Sequence, residues 1–399
     1  MAFTATATSS RARIKWIAET NVGETPSTPV MQQGRITSET LTKEKGTTTS
    51  QELVDHRNVP SSITTAFNYS GDVGVEWSYA SHDELLESTL QGTWSGSVDI
   101  SATDIEADAA TNSFESTTTD FSAEDLSVGQ YVYVQGFSDS ANNGYFRIAS
   151  VSTNTLEVNN KLGSTLGLVD EGAGSNITMK TGGRIRNGVT RKSFTVEVEN
   201  PDVQKFKVFR GVEVDTLEFT ASTGSILTAS FGMVARSSER PNSTVANSVT
   251  QANTNRPFNA VQDWGYVEFD DTMLAQGLGE FTFSLENGLR RQGQMGTADV
   301  VGYGNSRNNI TATLQSWFDD QASQVIDKFE SDDFVAPLTF NINDKQGNVY
   351  IFSLAQLHVT TANTNNDGLD NDVVVEAEGQ GVMSDDGEQW TIQIDRIPA

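Results

Sequence analysis

Apolar and polar residues alternate with period two along most of the chain. Val75-Glu-Trp77-Ser-Tyr79, Phe194-Thr-Val196-Glu-Val198, Phe281-Thr-Phe283-Ser-Leu285 and Leu338-Thr-Phe340-Asn-Ile342 each set apolar groups on one face and polar groups on the other. That is the pattern of half-buried antiparallel strands. Two segments switch to helical spacing. The first opens at Ser81, with Glu84 three residues on at capping-box spacing, and lines Leu85, Leu86 and Leu90 along one stripe. The second covers residues 316–330, where Phe318, Ala322, Val325, Ile326 and Phe329 follow the spacing of a helix lying on a sheet.

The surroundings of the two helices repeat. A strand at 73–79 precedes the first; strands at 194–198, 206–219 and 226–234 follow it, separated by a turn at Asn200-Pro-Asp202 and a Ser/Thr/Gly turn, once residues 98–182 are set aside. A strand precedes the second helix too, and strands at 338–343, 349–359 and 373–383 follow it, separated by Asp344-Lys-Gln-Gly347 and an Asn/Asp-rich turn. The shared order predicts an internal duplication of one β-rich unit. The expected fold is therefore all-β with minor helix: tandem β-sandwich units, each flanked by a helix, plus an inserted small β domain. The expected boundaries are an arm at 1–30, a first unit at 31–97 and 183–236, the insert at 98–182, a linker at 237–260 and a second unit at 261–399. The linker is rich in Ser, Asn and Thr with no apolar period. Within the insert, Gln130 to Phe137, 145–151 and 155–158 predict a short meander, with Asn143-Gly144 suited to a turn. Its three basic against twelve acidic residues suit a solvated outward module.

Charge narrows the function. The 399 residues hold 53 Asp and Glu against 26 Lys and Arg, a formal charge of −27, which repels nucleic acid instead of gripping it. No cysteine is present, so disulfides, zinc thiolates and thiol nucleophiles are excluded. His56, His82 and His358 lie far apart without local partners for a triad. No GxxxxGK, GxGxxG or GxSxG pattern occurs. The acid pairs Asp319-Asp320, Asp332-Asp333 and Asp385-Asp386 read as solvated charge. The loop from Asn363 to Gly368 imitates half a calcium loop, but its twelfth position is Val374 where a bidentate Glu is required. No catalytic, cofactor or metal residue is nominated, and no enzyme is expected. The opening MAFTATATSSRARIKW has no apolar core of a leader, and nowhere do eighteen apolar residues run together, so neither export nor membrane spanning is expected.

The chain carries, in order, Ile17-Ala-Glu-Thr-Asn-Val-Gly-Glu-Thr-Pro26, Ser50-Gln-Glu-Leu-Val-Asp-His-Arg57, Tyr79 with Asp83-Glu-Leu-Leu86, and Leu90-Gln-Gly-Thr-Trp94. These ordered motifs resemble those of the tail tube (major tail) proteins of long-tailed, non-contractile bacteriophages. Phe209-Arg-Gly-Val-Glu-Val214, Gly304-Asn-Ser306, Gly347-Asn348 and Trp390-Thr-Ile392 continue the likeness, and Gly136-Phe137 with Asn142-Asn-Gly144-Tyr-Phe146 is similar to modules decorating some of these proteins. The resemblance implies sandwich units whose inner sheets join into a closed barrel around a channel, with rings stacked into a tube that conducts DNA into the host. With a duplicated unit, three copies would make a pseudo-sixfold ring, and six copies are the alternative. The implied partners are further copies of the chain, a tape measure protein in the lumen, tail terminator and distal tail proteins, and duplex DNA in passage, without a cofactor or a membrane. Assembly would take place in the host bacterial cytoplasm, and the product would sit in the virion tail.

Residues follow from that expectation. Glu197 and Glu199, and Glu376 and Glu378, alternate against Val196, Val198, Val375 and Ala377 and are the lumen-facing candidates. The stretch 39–60 resembles the hairpin that reaches a neighbouring ring, with Glu39, Lys43, Glu44, Lys45, Glu52, Asp55 and Arg57 as candidates for ion pairs between rings. A rival from another class is a carbohydrate-binding or adhesion protein such as a phage fibre component, which sugar-dependent thermal shift would reveal.

Overall fold

The computed structural model describes residues 6–270, 272–274, 278–330, 335–365, 368, 371–385 and 388–399. Asp332-Asp333, Asp386 and the Asn366-Asp367 part of the calcium-like loop lie outside the described residues. The fold is all-β with two short helices. The first half enters the main sheet at β1 (Arg13–Ala18), continues through β2 (Ser38–Glu39), β3 (Thr42–Thr49) and the long β4 (Ser62–Glu76), and reaches α1 (Asp83–Leu90). After the insert come β5 (Phe194–Asn200), β6 (Lys205–Ser222) and β7 (Thr228–Val234). The second half runs through β8 (Leu278–Glu286), β9 (Asn309–Trp317), α2 (Asp320–Phe329), β10 (Val335–Asn343), β11 (Val349–Asn365), β12 (Val374–Val382) and β13 (Ile392–Ile397).

The halves repeat each other strand by strand. β5 pairs with β6, β6 with β7 and β7 with β4; likewise β10 pairs with β11, β11 with β12 and β12 with β9, all antiparallel. The ladders even break register at matching places. One break lies between Phe194 and Val196 and its counterpart between Ala336 and Leu338; a second lies between Val214 and Thr216 and its counterpart between Val359 and Thr361. An extra residue in a strand bends it and raises its twist. The two halves therefore bend at matching places in their ladders. The two halves also share one sheet, because β6 of the first pairs with β8 of the second from Thr216↔Glu286 to Ser222↔Glu280.

One core serves both halves. Trp77, Phe219 and Phe231 from the first pack with Phe340, Tyr350 and Phe352 from the second, all buried, and the Phe340 and Phe352 rings stack with centroids 4.7 Å apart. Burying each such ring contributes roughly 1.5–3 kcal/mol. Asp83 at the start of α1 accepts from Tyr350 Oη at 2.6 Å and pairs with Arg396 of β13, so the first helix is tied to the last strand.

Several boundaries differ from those expected. Residues 1–30 are not all an arm: β1 pairs with β5 along its whole length, and Ile14 and Trp16 belong to the core. The 237–260 stretch is a strap pinned onto the first half. Ser237–Glu239 pairs with β6, Ser248–Thr250 runs parallel to Val30–Gln33, Phe258 is buried, and Asn253 and Asn255 both donate to the Tyr79 carbonyl. The first helix begins at Asp83 without a capping box, because Ser81 Oγ is spent on Ser78 and Asn253 while Glu84 accepts from Trp16 Nε1 at 2.9 Å. The second begins at Asp320, since Ser316 and Trp317 still pair with Val375 and Val374 as strand.

Residues Val98 to Thr181 form a separate seven-stranded antiparallel sheet around Phe114, Phe146, Ile148, Leu156 and Met179. Although it leaves the chain after α1, this sheet docks on the second half. Tyr131 and Leu162 share a small apolar cluster with Val349, Ile351 and Ile397, the Gly163 amide donates to Glu268 Oε1 at 2.6 Å, and Gln393 Nε2 donates to the Gly129 carbonyl. Asp395 is sealed beneath this contact, and burial pushes its carboxyl up to about 7 against the opposing pull of Gln393 and Arg184. A folded-state value above the unfolded one means that the folded chain holds this proton more tightly, so stability from this site is lost as pH rises from about 4 through about 7. Asp395→Asn is expected to stabilise the protein by about 2 kcal/mol at pH 8 and little at pH 4.5. Thermal melts of both proteins at the two values check this, and an equal gain at both would place its origin elsewhere.

Candidate functional site

The strands β4, β7, β6, β8, β9, β12 and β11 lie side by side in that order, and their registers carry polar residues across all seven without a change of face. One row reads Glu76, Thr228, Thr220, Thr282, Thr313, Glu378, Thr361. The next reads Gly74, Ser230, Glu218, Ser284, Thr311, Gln380, His358, and flanking rows add Asp72, Glu286, Glu280 and Glu376. The intervening residues, among them Val73, Phe231, Phe219, Phe283, Ala312 and Ala377, are buried in the shared core. Alternation therefore produces two unlike surfaces from the same strands: a greasy one facing the core and one of small hydroxyls and carboxylates facing out.

No lysine or arginine occupies the outward rows named above. The nearest cations of the edge strand, Lys43 and Lys45, stand opposite Tyr69 and Phe67 and so lie on the other face, Lys43 Nζ 3.6 Å above the Phe67 ring. Glu44 stands opposite Asn68 and extends the acidic face. A Cβ added at Gly232 would lie 2.1 Å from Thr216 Oγ1, so the rows there are closely set.

The lumen candidates divide. Glu376 and Glu378 stand exposed on this face, Glu376 accepting from Gln315 Nε2 at 3.1 Å. Glu197 does not face a channel. It is fully buried, paired with Lys15 Nζ at 2.9 Å and further bonded by Thr244 Oγ1 and the Val245 amide, each at 2.7 Å. Glu199 pairs with the same lysine at 2.6 Å and is mostly covered. Glu197 lies on the face of β5 opposite Val196 and Val198, but Lys15 of the neighbouring β1 and Thr244 and Val245 of the strap cover it there. Glu218, Glu280, Glu286 and Asp72 were not nominated, although Glu280-x-Thr-x-Ser-x-Glu286 alternates just as Glu376 and Glu378 do.

The hairpin candidates are also placed. β3 and β4 pair from Thr42↔Ser70 to Thr49↔Ser62, and the strands beyond Gly46 run exposed to solvent. Glu44, Lys45, Glu52, Asp55 and Arg57 are exposed and form no ion pair among the described residues; Leu53, Val54, Val59 and Ile63 add exposed apolar surface near the tip. Glu39 instead lies at the root of the hairpin opposite Val73, where burial pushes its carboxyl up.

His82 is buried and neutral, burial lowering it to about 4, and no group of acids and histidines among the described residues has metal-binding geometry. No described helix is long and apolar enough to cross a membrane. The family model described as phage tail tube protein matches residues 9–381 of the chain. No curated protein matches it.

Proposed function

The chain belongs to the phage tail tube protein family, a component of the virion tail, and from that premise we propose that three copies close into a ring lined by the seven-strand acidic face. Rings would stack, and the channel would conduct duplex DNA. The observation carrying this reading is the absence of lysine and arginine from the outward rows of that face. Proteins hold DNA chiefly by setting cations against phosphates and releasing counterions; a wall of carboxylates and hydroxyls offers no such contact. At physiological salt the screening length is about 8 Å, so wall carboxylates still act on phosphates passing close by.

The matching ladders support a count of three copies. Two sandwich units per chain give six units in a ring of three. The β3–β4 hairpin, whose Glu44, Lys45, Glu52, Asp55 and Arg57 form no ion pair among the described residues and whose tip exposes Leu53, Val54 and Val59, is suited to reaching the next ring. A tape measure protein would fill the channel before DNA, and terminator and distal tail proteins would cap the ends.

Electron microscopy of the concentrated protein tests the reading. Rings or tubes with an open centre and three chains per turn are expected. Six chains per turn would remove the three-copy ring and keep the conduit; filaments without a channel would overturn both.

A further inference from the structure

The junction between the two halves of one chain is a template for the junction between chains. Matching the ladders residue by residue aligns Ser70 with Thr311, Val234 with Gln380, Thr216 with Thr361 and Thr42 with Ser284, and the register breaks of the β5–β6 and β6–β7 ladders fall into line with those of the β10–β11 and β11–β12 ladders. Under this correspondence β3 with the segment before it is the counterpart of β8, since Thr42 and Glu44 face Ser70 and Asn68 as Ser284 and Glu286 face Thr311 and Asn309. The C-terminal part of β11 is likewise the counterpart of the part of β6 that receives β8.

Within the chain the first junction is made: Glu218 stands opposite Ser284 and Thr216 opposite Glu286. The second is open. β3 pairs along one edge with β4, and at Thr361 and Asn363 β11 pairs along one edge with β12; no described strand lies on the other edge of either. Exposed edges of this kind are templates for another chain.

We propose that β3 of one copy adds antiparallel to β11 of the next, with Thr42 opposite Asn363 and Glu44 opposite Thr361. This rests on the ring reading and specifies its lateral contact. The occupant is a second copy because the internal junction already displays both edges joined in that register. The same offset brings Lys45 to the position of Asn287, whose side chain donates to the carbonyls of Thr89, near the end of α1, and Val214 at 2.8 and 3.1 Å. In the neighbour Lys45 would meet the last turn of α2, where the helix dipole favours a cation.

The absence of cysteine makes the test direct. Directly opposed residues of antiparallel strands have Cβ atoms about 4.5–5.5 Å apart, close enough for oxidative bridging. Thr42→Cys with Asn363→Cys in one chain, assembled and then oxidised, should yield covalent dimers and trimers on a denaturing gel and nothing larger. Glu44→Cys with Thr361→Cys should do the same, guarding against one pair spoiling assembly. Thr42→Cys with Thr364→Cys, a one-residue slip that turns the side chain to the opposite face, should stay monomeric on the gel. Rings seen by microscopy in which neither matched pair bridges, or in which the slipped pair bridges instead, would overturn the ladder alone. Bridged species beyond three chains would overturn closure at three. Parent protein that never assembles would overturn the ring reading, and the ladder with it.

Discussion

Tubes built from a chain carrying Glu218→Lys, Glu376→Lys and Glu378→Lys are expected to retain duplex DNA that the parent tubes release. All three side chains stand exposed on the outward face, so the substitutions should change stability by no more than about 0.5 kcal/mol each. Their effect on DNA should be large, because three carboxylates per copy become three phosphate partners. Each phosphate neutralised contributes a slope of about −0.9 to the dependence of log affinity on log salt. Cosedimentation of short duplexes with assembled tubes at about 50 and 200 mM salt should therefore show strong retention at the lower salt, reversed at the higher, for the lysine variant alone. A Glu→Gln triple variant removes repulsion without supplying cations and should stay close to the parent. In phage, the lysine variant should lose infectivity by roughly a hundredfold or more while particles retain tails, because cations along every ring would hold the moving duplex. Lysine tubes that retain no more DNA than the parent would show that this face does not line the channel.

The largest stability effect is expected at Lys15. Its ammonium is buried between Glu197 and Glu199, and although burial alone would lower it, hydrogen bonds and charge from the two carboxylates raise it above its ordinary value. A base with a raised folded-state value contributes stability that is intact below about pH 10.5 and lost only as pH climbs through that raised value. Lys15→Met should cost about 3–5 kcal/mol at pH 7, since it leaves Glu197 under the strap with Thr244 and Val245 for donors and Glu199 without its cation. Adding Glu197→Gln should recover part of the loss. Denaturant unfolding of the single and double variants decides. A cost below about 1 kcal/mol would mean that solvent reaches this pair in solution.

That pair also marks the limit of what could be read from the chain alone. Strands were legible because each buries one face, and the apolar stripes of both helices were legible for the same reason. Even the duplication showed, since turns such as Asn200-Pro-Asp202 and Asp344-Lys-Gln-Gly347 punctuate the two halves alike. Lys15 and Glu197 are 182 residues apart, and neither flanking segment advertises its partner. Arg13-Ile-Lys-Trp reads as a solvated arm because its charges look outward until β5 is laid beside them. The strap lacks any apolar period because it is held by short strand pairings and by Asn253 and Asn255, so its composition matches that of a free linker. Of the acidic face, Glu376 and Glu378 were found by alternation, whereas recognising Glu218, Glu280 and Asp72 as their neighbours requires the order of strands across the sheet.

The β6–β8 junction has a consequence for how quickly a ring can be made. In a ring of the proposed kind, six separate units would need five bimolecular encounters before the last junction closes within the assembly, each limited by concentration and by the orientation of two small patches. A chain that forms every second junction as it folds makes that contact at the high effective concentration of a tether, leaving two encounters to diffusion. At the growing end of a tube, one arrival in the wrong register would block everything above it. Halving the arrivals per ring halves the chances of such an error.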